Sequence, residues 1–520
     1  MTDAVRLLAA WLTPALWLAM PALILARGSE GLWVALALTV APLIALVAPG
    51  GADPAQREAG GRFRHAALLA VAGISIWANV GLAADVAAWQ GVPRWQGIAV
   101  AVVAAGLFAG WRGSARWLGV LWLVGLVGIG ATLFELAREA GAGPLAAWER
   151  VASQPAFRFH AASAWVTTGQ ALGGTGARVP MVFAEEHRVT APYGGRLRGR
   201  SVDGGRVTER EWTLAPGQSV TLRAGDRLEE GTALPLRFEP GKRVPGAPAS
   251  GPAWSGWPRA DGWPRLGLCV TLVVGGVGLL RGGTRRPMSR RGALVVGVGL
   301  VAAFALAQGW AIYGVLGAPD VFLGGVIMER LADLQTLSHG PPRWTAGLQM
   351  LLLTAGLASF AASSIALRER LATPAADAGG TRRTSGDRGR WAAVIGLAGL
   401  AALWHADPWR LILLALGVSA AALGPAALWR RADARAAAAG GIVGLLLFAA
   451  LTLGAALPGA VPVLAPAVAA AGRAAWPEAL RKATLAYPAL IAAPAGAAVV
   501  LLVRRPTRRR APAAVRSVRS

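Results

Sequence analysis

The chain has 520 residues and a single cysteine, Cys269. No disulfide, Cys-x-x-Cys pair, covalent c-type haem attachment or cysteine-based metal cluster can therefore form within it. Acidic residues are scarce, 27 Asp and Glu against 52 Lys and Arg, and charged residues together make only 15% of the chain. That is low for a soluble protein. Histidine is limited to His65, His160, His187, His339 and His405. No Gly-x-Ser-x-Gly elbow, His-Glu-x-x-His pair or phosphate-binding Walker loop occurs, so the best-marked hydrolase, metalloprotease and nucleotide-binding classes have no signature here.

What is abundant is apolar sequence, 55% of the chain. It falls in runs of about 20 residues, the length that crosses a hydrocarbon layer. The candidate spans are 7–26, 31–49, 66–86, 97–111, 117–137, 265–281, 292–316, 346–367, 391–406, 409–428, 436–457 and 484–503. The expectation is an all-α polytopic membrane protein of about 12 transmembrane helices. The first run, Leu7 to Ala26, is too long for a signal-peptide core and reads as an uncleaved span. Pro14, Pro21 and Pro42 lie inside spans and predict kinks, because neighbouring helices can satisfy freed carbonyls.

The net charge of +25 acquires a meaning from its distribution. With the N-terminus cytoplasmic, more than half of the 52 basic residues fall in inside segments, such as Arg285–Arg291, Arg382–Arg390 and the tail after Arg504. The short outside loops hold few, as the positive-inside rule requires. The excess charge thus reads as topology. It is not a nucleic-acid footprint, which would gather on one face. Both termini are expected in the cytoplasm of a bacterial cell, with the chain in its inner membrane. The domains are expected at 1–137 (membrane), 138–264 (extracytoplasmic), 265–503 (membrane) and 504–520 (basic tail beside anionic lipid). Residues 372–390 read as a flexible basic linker.

The long segment 138–264 opens with a short helix, Pro144 to Ala152, and then turns β-like. Strand-sized runs at Arg178–Ala184, Arg196–Val202, Arg206–Leu214 and Ser219–Arg223 alternate with Gly-Gly, Pro-Gly and Ala-Gly-Asp turns. Trp254, Trp257 and Trp263 close the segment and are expected at the membrane interface, where indoles prefer to sit.

Within it, Ala191-Pro192-Tyr193-Gly194-Gly195-Arg196-Leu197 is followed by Gly225-Asp226-Arg227-Leu228 with Glu229-Glu230-Gly231, then by Phe238-Glu239-Pro240-Gly241-Lys242 and Ala247-Pro248-Ala249-Ser250-Gly251. Each Gly-Asp or Ala-Pro-x-x-Gly element is a tight turn between short strands. Over residues 191–251 the series resembles the half-motifs of the biotinyl/lipoyl barrel-sandwich family, and the resemblance implies a small β-sandwich. It does not imply a carrier lysine: Gly241 and Arg243 stand where methionines flank that lysine in the family.

Few residues suggest chemistry in or near the membrane. Asp85 and Glu135 fall near the outer ends of their spans and are candidates for ion coupling, while Asn79, Gln308 and Gln349 are neutral and read as hydrogen-bonding groups between helices. His339, in Ser338-His339-Gly340-Pro341-Pro342-Arg343-Trp344, and His405, in Trp404-His405-Ala406-Asp407-Pro408-Trp409, sit in outside loops beside tryptophan. External histidines in such surroundings loosely resemble the haem-handling proteins of cytochrome c assembly. That resemblance would make His339 and His405 haem ligands. The long tryptophan-rich, Asp-containing external signature of those proteins is missing, and the loop between the two histidines is cytoplasmic. The simpler reading is ordinary loop histidines. Glu185, Glu186 and His187 read as an exposed cluster, since neighbours on a strand point to opposite faces.

Three functional readings follow. The first is a non-catalytic inner-membrane component whose periplasmic β domain engages a partner or substrate in envelope transport or assembly. Its partners would be membrane lipids and other membrane or periplasmic proteins, with no cofactor. The second is a haem-handling assembly factor using His339 and His405. The third is a membrane-embedded transferase acting on a lipid-linked substrate, with arginines of the outer loops holding phosphate and Arg330, His339 and Arg343 converging on one external cavity.

Overall fold

In the computed structural model, residues 11–47, 61–89, 92–110, 140–159, 165–167, 181–203, 206–228, 235–256, 262–283, 290–317, 385–404, 406–428, 434–456 and 478–503 are described, with Leu8, Gly130, Leu133, Phe134, Ala137, Arg138 and Phe322. The helices among them are α1 Pro14–Arg27, α2 Ser29–Val47, α3 Gly61–Trp89, α4 Arg94–Gly110, α5 Pro144–Ala152, α6 Gly251–Ser255 and α7 Gly262–Gly283. They continue with α8 Arg290–Gly317, α9 Ser385–Ala401, α10 Pro408–Ala422, α11 Gly424–Leu428, α12 Ala434–Ala456, α13 Glu478–Ala486 and α14 Ala489–Val503. Several begin in the same way: Thr13, Ser250 and Asp407 offer a side-chain oxygen to the first turn, and a proline follows where its missing N–H is not needed.

Four of these helices are long and apolar enough to cross a membrane: Ala66–Asp85, Trp263–Leu280, Arg291–Gly317 and Arg435–Leu453. Shorter apolar helices include Ser29–Ala45, Arg94–Leu107, Ala392–Ala401, Pro408–Ala422 and Ala489–Val503. The expected spans 117–137, for most of its length, and 346–367 lie outside the described residues. Two expected spans are interrupted. The one at 409–428 breaks at Leu423, ahead of Gly424 and Pro425, and the one at 484–503 breaks at Tyr487–Pro488. In each case a proline cannot continue the helical hydrogen bonding. Ser385–Arg390, expected as linker, extends α9 by its first turns, because lengthening an existing helix is far easier than starting one.

The outward faces of the helices are apolar. Val100, Val103 and Leu107 on α4, Leu294, Val298 and Val301 on α8, and Leu446 and Leu453 on α12 are exposed at helical spacing. Water would make such stripes a liability, whereas lipid would not. They point to membrane association. Inside, helices meet through small residues. Ser419 on α10 donates to the Gly275 carbonyl on α7 at 2.7 Å. A Cβ added to Gly275 would collide with the Leu416 backbone.

Between α5 and α6 lie two four-stranded antiparallel sheets. The strands are β1 Trp165–Thr167, β2 Met181–Val182, β3 His187–Ala191, β4 Gly195–Asp203, β5 Arg206–Leu214, β6 Gln218–Leu222, β7 Arg227–Leu228 and β8 Pro235–Phe238. Their orders are β1-β8-β3-β6 and β2-β7-β4-β5. Strict alternation builds the shared core: His187, Val189 and Ala191 of β3 are buried while Arg188 is exposed. Phe159, Phe183, Leu222, Leu228, Leu236 and Phe238 complete it.

The sheets and helices share one continuous core. Trp254 of α6 is 1% exposed and donates its indole N–H to the Leu25 carbonyl of α1 at 3.0 Å. Its ring lies 5.2 Å from that of Trp148 on α5. Gly28 turns the chain from α1 to α2 with φ +56°, and a Cβ there would strike the Trp254 carbonyl. The Ser29 hydroxyl donates to the Gly256 carbonyl beside it. Trp254 is thus a buried anchor, not the interfacial residue expected from composition. A second join forms where Phe157 packs on Phe322 at 4.9 Å.

Candidate functional site

Where α3 ends and α4 begins, a short loop returns the chain so that Arg94 faces Asp85. The Arg94 Nε–H donates to Asp85 Oδ1 at 2.9 Å, and Nη1–H donates to the Ala402 carbonyl, one residue past α9, at 2.7 Å. Asp407 lies close by at the start of α10, where its carboxylate accepts the Trp409 N–H at 3.0 Å and stands 3.9 Å from Arg410. Burial raises the Asp407 carboxyl above its ordinary range, and the Asp85 charge adds to this. The Trp409 and Arg410 amides and the Arg410 charge oppose it. The side chains of Asp85, Arg94 and Asp407 are 18%, 15% and 16% exposed. One guanidinium thus ties the ends of α3, α4 and α9 together beside two carboxylates. Such a knot is suited to fixing helix ends and to holding a proton.

Of the candidates Asp85, Glu135, Arg330, His339, Arg343 and His405, the structure places Asp85. Glu135, Arg330, His339, Arg343 and His405 lie outside the described residues. Sequence reasoning assigned no role to Arg94 or Asp407. The available signals were an arginine nine positions after Asp85 across a short loop, and an Asp-Pro pair opening an apolar run. Among neutral groups, Asn79 is buried on α3 and donates to the Ser75 carbonyl at 2.7 Å.

In the sheets, Glu185, Glu186 and His187 do not share a site. Glu185 accepts the Arg243 N–H at 2.6 Å, which holds its carboxyl below the usual range, and Glu186 is exposed. His187, expected at the surface, is fully buried, because it begins a strand whose odd positions face the core. Lys242 directly follows the turn at Gly241, and its carbonyl accepts the Phe159 N–H at 2.8 Å. Among the described residues, no group of three His, Cys, Asp or Glu is placed to hold a metal ion. No protein-family model matches the chain, and no curated protein matches it.

Proposed function

We propose that the chain is a polytopic protein of the bacterial cytoplasmic membrane that holds its β-sandwich on the outer face to engage a partner or substrate in envelope transport or assembly, without catalytic chemistry of its own. The outward apolar stripes on α4, α8 and α12 support the membrane setting. The alternation of arginine-rich loops supports the orientation. The observation that carries the reading is the Trp254 anchor. A sandwich tethered only by flexible linkers would present its surface in any direction. Here the indole hydrogen bond and the tight turn at Gly28 fix its attitude on the helices, which suits a docking platform.

Two measurements test this. In a Cys269→Ala background, Tyr193→Cys, on a side chain 76% exposed in the sandwich, is expected to react with a membrane-impermeant maleimide in intact spheroplasts. Arg509→Cys in the tail is expected to react only after lysis. A photo-crosslinking residue at Tyr193 or at exposed Val207 is then expected to give a discrete protein adduct in native membranes, whereas one at Leu107 gives lipid adducts. Protection of position 193 in spheroplasts, or no protein adduct from either sandwich position, would sink the proposal.

A further inference from the structure

The imidazole of His187 is 0% exposed, and among the described residues neither of its ring nitrogens has a hydrogen-bond partner. Buried polar groups nearly always find one. Three phenyl rings stand against it at steep angles instead. Phe183 lies at 5.1 Å and 63°, Phe238 at 6.2 Å and 85°, and Phe159 at 6.4 Å and 87°. Charged groups surround the cage without hydrogen-bonding the ring. Glu185 precedes β3 and is engaged by the Arg243 amide; Glu239 and Lys242 follow β8. Arg158 lies near Glu185, and Arg223 and Asp226 close the β6–β7 turn against the Phe183 backbone.

The cage sits at the root of the sandwich. Phe159 exchanges backbone hydrogen bonds with Lys242 and Gly241, and the Val244 N–H donates to the Phe157 carbonyl. A few residues later Ser250 caps α6, which carries the Trp254 anchor. We infer that His187 is an acid-triggered release, whose protonation loosens the end of the sandwich that roots it on the helices. A neutral imidazole is tolerated in the cage as an apolar ring. An imidazolium would have to leave water for a wall of phenyl groups that accept no conventional hydrogen bond. This holds whichever side of a membrane the sandwich occupies.

The direction follows from burial, which lowers the folded-state pKa of His187 below its ordinary value. The stability contributed by the neutral ring is complete above the unfolded value of about 6.5. It is lost as pH falls below that value, and the loss levels off once pH is under the folded value. Within that window the opening equilibrium rises by up to about tenfold per pH unit. Most carboxylates titrate at lower pH, so the window isolates histidine.

The test is hydrogen exchange on the full chain in nanodiscs, corrected for intrinsic rate, over peptides covering 181–191 and 235–247. Between pH 7.5 and 5.5 the wild-type opening equilibrium is expected to rise several-fold, with about tenfold as the limit for one histidine. His187→Phe, and His187→Leu as a second filling of the cage, are expected to be flat with pH, while His160→Gln keeps the response. A wild-type chain indifferent to pH would overturn the inference, as would greater protection in acid. So would a response that survives in both His187 variants or disappears with His160→Gln.

Discussion

The helical unit and the sandwich draw on the same Ala-, Gly- and Arg-rich composition and pack in opposite ways. The helices approach through small residues, as where Gly275 admits the Leu416 backbone, and turn Val, Leu and Trp outward. The sandwich turns Arg188, Arg196, Arg198 and Arg200 outward and fills itself with Phe159, Phe183 and Phe238. The difference is the one that lipid around the helices and water around the sandwich would produce. In lipid, burying leucine against leucine gains little, so helices adhere by close backbone contact and by bonds such as Ser419 to Gly275. In water, apolar burial is the main driving force, and large rings serve it best. One polar group in each unit adds a further contrast: the half-buried Asp85–Arg94 pair is hydrogen-bonded, while the His187 ring nitrogens lack partners among the described residues.

The strongest way to break this comparison is at the join. Trp254→Ala removes a buried indole, its bond to Leu25 and its contact with Trp148, and should cost about 3–5 kcal/mol. In thermal unfolding this should appear as early loss of the sandwich, with protease cutting near residue 250 before the helices melt. Trp254→Phe keeps most of the volume and should cost about 1 kcal/mol for the lost hydrogen bond. Simultaneous melting of both units in Trp254→Ala would mean that the anchor does not couple them. The next effect belongs to the helices alone. Gly275→Leu drives a side chain into the α10 backbone and should cost about 1–3 kcal/mol. It should reduce the yield of monodisperse protein while leaving hydrogen exchange in β3 and β8 unchanged.

The helices were legible in the sequence because length and apolarity alone identify them, and Pro144–Ala152 because a proline sits at its first turn. Arg206–Leu214, Arg196–Val202 and Ser219–Arg223 are legible as strands from β-rich runs bounded by turns, and β5, β4 and β6 fall on them. The remaining strands were less so. β7 and β8 are two and four residues long, and β3 begins directly after two glutamates that mask its alternation. That is why the sequence alone puts His187 at the surface. Asp85 stood out as an ionisable group near a span end, but the carbonyl that Arg94 reaches is 308 residues away. Trp254 looks interfacial in the sequence for the same reason: its acceptor, Leu25, is 229 residues distant. Periodicity reports which face is buried and says nothing of contacts across such separations.

The smallest predicted effect sharpens the contrast between buried His187 and half-buried Asp407. Asp407 has its carboxyl raised by burial, so the fold favours its protonated form. Its contribution is therefore present at low pH and is lost as pH rises through the folded value, the reverse of the direction expected for His187. Asn also accepts the Trp409 N–H and caps a helix well, but carries no charge to bury. Asp407→Asn should therefore melt at or slightly above wild type at pH 7.5, and the gap should close as pH falls toward the ordinary carboxylate range. A lower melting temperature for Asp407→Asn at pH 7.5 would show that Arg410 and the neighbouring Arg94 more than offset the desolvation of the carboxylate. The knot would then be a working ion cluster, with both buried polar groups of the helix ends held charged, and the sandwich alone would respond to acid.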